Sequence, residues 1–198
     1  MKPGVADGMH RLRLGEAPRR GCPALFLDRD GTLIEDHGYV SRPQDVVIIP
    51  SAVAALRRFR DAGYALVIVT NQSGIGRGLY RWNDYEAVAE RVRKIYAAEG
   101  VAFDAELACG HTPGVATCNW RKPGAGMILA AADRLGLDLE RSVLAGDKAS
   151  DIVAPAAAGL PRAIHVATGE GRAERPKLPA SPLPLRLELA DDLSEAAP

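Results

Sequence analysis

The sequence is poor in cysteine and in aromatic residues, and it carries no excess of charge of either sign. Three cysteines are too few for a disulfide framework, so we expect a reducing cytoplasm. No apolar run is long enough to span a bilayer, and the basic N-terminal segment lacks the apolar block of a secretory signal. Lys plus Arg and Asp plus Glu both number 25, which leaves no bulk attraction to nucleic acid or lipid. An anionic ligand must therefore be bound by a local site.

Short apolar segments alternate with segments of helical periodicity, which predicts an α/β fold. Five runs are predicted as strands, at residues 24–28, 64–70, 101–108, 141–147 and 162–168. Four helices are predicted between them, around residues 53–59, 85–96, 126–135 and 150–158. This alternation is typical of βαβ crossovers, so we expect a three-layer αβα sandwich around a mainly parallel, Rossmann-like sheet. Pro155 is expected to delay or kink the start of the fourth helix.

The length of 198 residues fits one domain with a single core, and both ends differ from that core in composition. Residues 1–20 show no apolar period and are predicted to be an irregular extension. Residues 21–172 are predicted to form the core domain. Residues 173–198 are predicted to be a proline-rich extension, in which the prolines exclude regular structure over residues 173–184. Residues 185–193 can add a late strand and turn.

Acidic residues follow two of the predicted strands. Ligands collect at the carboxyl edge of a parallel sheet, so side chains at these strand ends carry the most functional weight. Asp28 and Asp30 follow the first strand, and Asp147 and Asp151 follow the fourth. Like charges so close together repel unless a cation lies between them, and oxygen ligands are those that Mg²⁺ prefers. We therefore predict Mg²⁺ beside Asp28, Asp30 and Asp147; Asp151 is equally consistent with an acidic residue in the first turn of a helix.

Polar residues at two further positions of the same edge are typical of phosphate binding. Four of them follow the second strand: Thr70, Asn71, Gln72 and Ser73. The glycine-rich turn after them offers backbone N–H groups to phosphoryl oxygens. Arg121 and Lys122 precede the third helix, where free N–H groups also favour an anion. Each signal is weak alone, and their common position at one sheet edge gives them weight.

Four segments resemble, in chain order, the four motifs of the haloacid dehalogenase (HAD) superfamily of phosphohydrolases: FLDRDGTL (26–33), VTNQSG (69–74), RKP (121–123) and AGDKASD (145–151). The resemblance covers roughly residues 24–168, which is the whole predicted core. EDHGYV (35–40) and TNQSGIGRG (70–78) are similar to the branch that dephosphorylates heptose bisphosphates, and a neighbouring branch acts on histidinol phosphate. The resemblance implies no large cap domain and an open site whose small loops select the substrate.

The resemblance also implies roles for individual residues in an aspartyl-phosphate mechanism. Asp28 attacks phosphorus, while Asp30 protonates the leaving oxygen and then activates water. Mg²⁺ is held by the Asp28 carboxylate, the Asp30 carbonyl and Asp147. The transferred group is bound or neutralised by Thr70, Asn71 and Lys122. Substrate binding is implied for a further set: Asp36, His37, Gly38, Tyr39, Asn71, Gln72, Ser73, Arg121 and Lys148.

The expected substrate is a heptose bisphosphate of a bacterial lipopolysaccharide or nucleotide-activated heptose pathway. Histidinol phosphate or another small phosphorylated metabolite is the alternative. A phosphate-binding module that has lost catalysis is disfavoured by the intact Asp28, Asp30, Lys122 and Asp147. We expect a cytoplasmic monomer that binds a small phosphorylated molecule, with neither nucleic acid nor a membrane as partner.

The segment CGHTPGVATCNWRKP (109–123) combines the spacing of a zinc site with a missing ligand. Cys109, His111 and Cys118 stand at zinc-ligand spacing, but Trp120 occupies the position of the family's last cysteine. Structural zinc almost always has four protein ligands, and a neutral indole does not bind a metal. A water, or a carboxylate or imidazole from elsewhere, can complete the shell. Alternatively, Trp120 packs over the loop and replaces the metal by apolar burial.

Overall fold

A seven-stranded sheet forms the centre of the protein, seen in a computed structural model that describes residues 8–115, 117–180 and 183–198. The strands are β1 (His10–Leu14), β2 (Pro23–Leu27), β3 (Ala65–Asn71), β4 (Ala105–Cys109), β5 (Asp138–Gly146), β6 (Arg162–Val166) and β7 (Arg186–Ala190). Their spatial order is β1-β4-β3-β2-β5-β6-β7. β1 is antiparallel to β4, and every other neighbouring pair is parallel. The prediction of a mainly parallel sheet is therefore confirmed.

Helices cover both faces of this sheet. They are α1 (Pro50–Asp61), α2 (Ser73–Gly76), α3 (Trp82–Ala98), α4 (Gly126–Leu135), α5 (Ala149–Ala158) and α6 (Gly171–Glu174). Short 3-10 turns span Pro43–Asp45, Arg175–Lys177 and Leu193–Glu195. The connections from β2 to β3 and from β3 to β4 hold only these elements and loops, without a large cap domain. Within the described residues, no helix is both long and apolar enough to cross a lipid bilayer.

The alternation of side chains along the central strands divides the apolar core into two halves. Leu25 faces the half that contains Phe59 of α1 and the apolar stripe of α3. Phe26 faces the opposite half, which contains Met127 of α4. Because β2 is buried on both sides, its sequence PALFL is apolar throughout instead of alternating. This burial fixes the strand ends from which the polar residues of the site project.

Both ends of the chain join the sheet, which corrects the prediction of two irregular extensions. The segment 1–20 contributes β1, although residues 1–7 lie outside the described part of the chain. β1 is short and lies at the sheet edge, so its pattern HRLRL keeps polar residues and an exposed leucine and gives little apolar signal. The late strand expected within residues 185–193 is present as β7, which pairs with β6. The segment 173–184 holds the end of α6 and a 3-10 turn rather than only irregular chain.

α5 begins at Ala149 despite the proline within it, so the expected delay of its start is wrong. Pro155 is the seventh residue of the helix, where the bond it cannot make would have gone to the Asp151 carbonyl. The first turn is held independently, because the Asp151 side chain accepts a hydrogen bond from the Lys148 N–H at 3.0 Å. The proline therefore leaves Asp151 in place.

Ser142 bridges an irregularity in the pairing of β2 with β5. The register between these strands shifts between Pro23 and Leu25. At the shift, Ser142 Oγ accepts a hydrogen bond from the Ala24 N–H at 2.8 Å and donates one to the Asp138 carbonyl at 2.5 Å. The hydroxyl group thus satisfies a strand N–H that is buried in the sheet centre.

Replacing Ser142 by alanine is expected to lower the free energy of unfolding by about 1–3 kcal/mol, because the Ala24 N–H loses its acceptor. Urea unfolding measures the change. Ser194→Ala is the matched control, since that side chain is exposed and its loss should cost less than about 0.5 kcal/mol. Equal unfolding midpoints for the two variants would contradict the role given to Ser142.

Candidate active site

Three carboxylates meet at the carboxyl edge of the sheet. Asp28 follows β2, Asp147 follows β5, and Asp151 lies in the first turn of α5. One oxygen of each lies within 4.8 Å of the others, and all three side chains are buried. The predicted convergence of Asp28 and Asp147 is therefore present. Asp151 caps the start of α5 with one oxygen, and its other oxygen lies against Lys122. Metal ligation by Asp151 stays a prediction.

Burial and mutual repulsion make this cluster unfavourable when it is fully ionised. Burial, with the charges of Asp28 and Asp151 added, raises the pKa of Asp147 to about 8. Burial also raises the pKa of Asp151 to about 6, although Lys122 opposes the shift. Lys122 Nζ lies 2.6 Å from Asp151 Oδ1 and 2.9 Å from Asp28 Oδ1. Burial lowers the pKa of Lys122, but the two carboxylates outweigh it and hold the pKa above its usual value.

The cluster fits a small divalent cation. Asp147 Oδ2 accepts a hydrogen bond from the Glu170 N–H at 2.9 Å, whereas the buried Oδ1 has no hydrogen-bond partner among the described residues. A buried carboxylate oxygen without a donor is costly unless a ligand occupies its free side. The donors around it are all oxygens, which is the chemistry that Mg²⁺ prefers.

The loop after β2 passes directly over Asp147. Gly31 has a φ of 83°, and a Cβ at this position would overlap Asp147 Oδ2. The Thr168 hydroxyl donates to the Gly31 carbonyl at 2.6 Å and fixes the loop in this position. Glycine is therefore required here both for the left-handed backbone and for the close approach.

Asp30 does not join the cluster through its side chain. Arg29 Nη2 donates to both Asp30 carboxylate oxygens, at 2.9 and 3.0 Å, and Gln72 Nε2 donates to Oδ2 at 2.8 Å. The argument for a cation between the side chains of Asp28 and Asp30 is thus corrected, because Asp151 supplies the third carboxylate. Burial raises the pKa of Asp30, with Arg29 opposing the shift and Asp28 adding to it. The coordination of a metal by the Asp30 carbonyl stays a prediction.

Two residues of this hydrogen-bond network were not singled out from the sequence. Arg29 is only 1% exposed, and its guanidinium lies 5.3 Å from the ring of Tyr85. The Tyr80 hydroxyl donates to Gln72 Oε1 at 2.6 Å. Arginine is rarely buried to this extent. The sequence therefore did not indicate that Arg29 orients the Asp30 side chain.

A cleft of about 220 Å³ opens beside Asp30. Its lining contains eight residues predicted for the site: Asp30, Asp36, Gly38, Tyr39, Asn71, Gln72, Ser73 and Lys148. Tyr80 and Glu170, which the sequence did not indicate, complete the lining. Lys148 Nζ lies 3.2 Å from Asp36 Oδ2 and 3.4 Å from Glu170 Oε1. The cleft therefore carries one positive and several negative groups around a small space.

Two predicted substrate residues do not line this cleft. His37 is largely exposed, and its Nε2 lies 3.1 Å from Glu35 Oε2. Arg121 lines a second cleft of about 620 Å³ together with Lys122, and its Nη1 donates to the His111 carbonyl at 3.0 Å. Apart from His37, the predicted substrate residues are thus divided between two clefts, and Lys122 connects the second one with Asp28.

Two polar residues at the end of β3 are already hydrogen-bonded within the protein. Asn71 Oδ1 and Nδ2 bond to the backbone N–H and carbonyl of Lys122, each at 3.0 Å. The side chain of Asn71 therefore holds the backbone of Lys122 in place. Thr70 Oγ1 accepts a hydrogen bond from Gln72 Nε2 at 2.8 Å, which leaves the hydroxyl proton available to a ligand.

The cysteine-containing loop contacts Arg121 through the His111 carbonyl. Cys109, His111 and Cys118 are brought together as predicted, and His10 of β1 joins them within the same 4.8 Å limit. The His10 imidazole thus comes from elsewhere in the chain, and Trp120 stacks on it with ring centroids 4.7 Å apart. Zinc binding by this loop stays a prediction.

Comparison with known proteins identifies the family. The profile of the family described as HAD-hydrolase-like matches residues 119–196. A D-glycero-beta-D-manno-heptose-1,7-bisphosphate 7-phosphatase from Mesorhizobium japonicum is 43% identical over 178 residues, which are 87% of this chain and 81% of the relative. A phosphatase of the same name from Vibrio cholerae is 41% identical over 154 residues, which are 75% of this chain and 83% of the relative. The chain belongs to the haloacid dehalogenase superfamily of phosphatases.

Solved structures of HAD phosphatases share the fold. An HAD-like phosphatase from Mesorhizobium loti has a TM-score of 0.83 and 36% identity, covering 96% of this chain and 91% of its own. The D,D-heptose 1,7-bisphosphate phosphatase from B. bronchiseptica, complexed with magnesium and phosphate, has a TM-score of 0.77 and 32% identity. That comparison covers 87% of this chain and 94% of the other.

The raised pKa values predict that this HAD phosphatase, free of metal, loses stability as pH rises. Asp147 and Asp151 bind protons more tightly in the folded than in the unfolded chain, so their contribution to the free energy of unfolding falls from about pH 4 to about pH 8. A bound cation removes the repulsion, so Mg²⁺ is expected to raise Tm more at pH 8 than at pH 5. Thermal unfolding at both pH values, with and without Mg²⁺, measures the difference.

The control for this prediction is Asp147→Asn, which removes one of the repelling charges. The variant should show a flatter dependence of Tm on pH and a smaller shift with Mg²⁺. A Mg²⁺ shift of the same size at both pH values in the unmodified protein would contradict the electrostatic account.

Proposed function

We propose that the protein removes the 7-phosphate of D-glycero-D-manno-heptose 1,7-bisphosphate in a Mg²⁺-dependent reaction. The observation that carries the proposal is the buried cluster of Asp28, Asp147 and Asp151 beside Lys122, next to an open cleft. The relatives named as heptose-1,7-bisphosphate 7-phosphatases support the substrate, and a solved relative complexed with magnesium and phosphate supports the cofactor.

In the proposed reaction, Asp28 is the nucleophile. Its carboxylate attacks phosphorus, the bond from phosphorus to the sugar oxygen breaks, and an aspartyl-phosphate forms. Lys122 Nζ, 2.9 Å from Asp28 Oδ1, holds the carboxylate and supplies positive charge to the phosphoryl oxygens. Asp28, Asp147 and the Asp30 carbonyl would hold Mg²⁺, which supplies further positive charge when bound. Asp151 adds a third carboxylate beside this ion. The Thr70 hydroxyl donates to the phosphoryl group.

Asp30 moves the proton in both half-reactions. Its carboxyl gives a proton to the departing sugar oxygen and then accepts one from the water that hydrolyses the aspartyl-phosphate. The raised pKa of Asp30 supports this role, because a carboxyl group must hold a proton near neutral pH to act as the acid. Arg29 and Gln72 orient the carboxyl group toward the cleft side of the site.

The two clefts suit the two ends of a sugar bisphosphate. Asp36 and Glu170 in the smaller cleft can accept hydrogen bonds from sugar hydroxyl groups, beside Lys148. Arg121 in the second cleft can bind the phosphate that is retained. The same acidic pair favours a second candidate, histidinol phosphate, since its protonated amine would be attracted to Asp36 and Glu170.

We further infer that the loop around Cys109 and Cys118 binds a structural zinc ion, since its cysteines and His111 stand close together. A cytoplasmic monomer that supplies lipopolysaccharide or nucleotide-activated heptose precursors stays a prediction for this chain.

A substrate panel tests the proposed activity. Both anomers of the heptose 1,7-bisphosphate, histidinol phosphate and several sugar monophosphates are to be compared by phosphate release with and without Mg²⁺. We expect the highest kcat/KM for one heptose bisphosphate anomer and loss of turnover without Mg²⁺. A preference for histidinol phosphate would replace the proposed substrate, and no Mg²⁺-dependent release from any ester would overturn the function.

Substitutions at the proposed catalytic residues should separate their roles. Asp28→Asn is expected to abolish nearly all turnover, because the nucleophile is lost. Thr70→Ala is expected to lower kcat by roughly 10²- to 10³-fold, the cost of one donor to the reacting group. Asp61→Asn, an exposed aspartate on α1, is the control and should leave kcat unchanged. Substantial turnover by Asp28→Asn would exclude Asp28 as the nucleophile.

A further inference from the structure

Four potential metal ligands from distant parts of the chain form a compact group beside β4. His10 lies in β1, Cys109 ends β4, and His111 and Cys118 belong to the loop that follows. Cys109 is fully buried and His111 is 9% exposed. One donor atom of each residue lies within 4.8 Å of all the others. This group is separate from the carboxylate cluster.

The distances in this group agree with the edges of a zinc-centred tetrahedron. Zinc–sulfur bonds of about 2.3 Å and zinc–nitrogen bonds of about 2.0–2.1 Å require edges of about 3.8 Å between sulfurs and about 3.6 Å between sulfur and nitrogen. Cys109 Sγ and Cys118 Sγ are 3.5 Å apart. Cys118 Sγ lies 3.5 Å from His10 Nε2, and Cys109 Sγ lies 3.6 Å from His111 Nδ1. These three edges are close to those of the tetrahedron, and the remaining three are no longer than 4.8 Å.

The pairing of β1 with β4 fixes the position of His10. In this antiparallel pair, His10 stands directly opposite Cys109, so the two side chains project from the same face. The backbone hydrogen bond from Gly110 N–H to the Met9 carbonyl, at 2.8 Å, extends the pairing to the start of the loop. The register of the sheet therefore delivers the imidazole to the cysteine loop.

Trp120 stands where the family has its last cysteine, and its side chain contacts the group without offering a ligand atom. Its ring stacks on His10 with an interplanar angle of 24°. Next to it, the Arg121 N–H points to Cys118 Sγ at 3.4 Å, which is a favourable contact for a thiolate. Trp120 therefore packs on the imidazole of His10.

We propose that His10 is the fourth ligand of the zinc ion, and that Trp120 stacks on its imidazole in place of the absent cysteine. The site has two thiolates and two imidazoles, which is a closed structural set. The metal then ties the edge strand β1 to the loop that ends at Arg121 and Lys122. This inference rests on the proposed zinc loop but not on the phosphatase activity.

Metal analysis of the full chain tests the inference. We expect about one zinc per chain in the unmodified protein. His10→Ala is expected to weaken zinc binding, measured in competition with a chelator, by at least about 100-fold. Loss of a residue that only supports a ligand already costs up to about 100-fold, so loss of a ligand itself should cost no less. Adding Trp120→Cys to His10→Ala should restore binding, because a cysteine then returns to the position of the missing ligand. His37→Ala is the matched control, since that exposed histidine lies outside the group.

Cobalt substitution identifies His10 as a ligand independently of stability. Tetrahedral Co²⁺ should give the visible spectrum of a site with two thiolates in the unmodified protein. His10→Cys should keep the metal and strengthen the thiolate charge-transfer absorption, because a third thiolate joins the site. An unchanged charge-transfer band in His10→Cys, or unchanged zinc affinity in His10→Ala, would exclude His10 while leaving the zinc loop intact. Absence of zinc from the unmodified protein under reducing conditions would overturn both.

Discussion

The repulsion among three buried carboxylates is the constraint on which the site depends. The parallel pairing of β2 with β5 brings Asp28 and Asp147 to adjacent strand ends, and α5 adds Asp151. When all three carboxylates are ionised, Lys122 compensates one negative charge, and two remain for a divalent cation to neutralise. The glycine at position 31 leaves no side chain between the loop and Asp147. Fold, charge and glycine position therefore all shape the same cluster of carboxylates.

The two aspartates of the first motif have different surroundings, which agree with the different roles proposed for them. Asp28 faces Lys122 and the carboxylate cluster, as the proposed nucleophile should. Asp30 is turned to Arg29 and Gln72 and is not part of the cluster. A carboxyl group shared with the cation would hold a proton less readily, so its separation from the ion suits proton transfer.

Local patterns predicted what depends on local sequence. The bounds of α4 follow from its apolar periodicity and from Gly136, which ends the helix in the left-handed conformation. The position of Asp28 and Asp147 followed from the rule that polar residues at parallel strand ends share one edge. Features that depend on tertiary contacts could not be predicted from the sequence. One is the burial of Arg29, a residue type that usually lies at the surface. Another is the bonding of the Asn71 amide to the backbone of Lys122.

The edge strand β1 shows the same limit most clearly. His10 and Cys118 are 108 residues apart in sequence, so no spacing rule connects them. Their contact lies beside Arg121, whose guanidinium is held by the His111 carbonyl in the wall of the second cleft. Ordering a long side chain on binding costs free energy, so a charged group selects a substrate better when the protein already holds it in place. The proposed zinc ion would fix this loop and keep Arg121 in position before the substrate arrives. Through that ion, the N-terminal strand would act on substrate selection without any contact with the reacting phosphate.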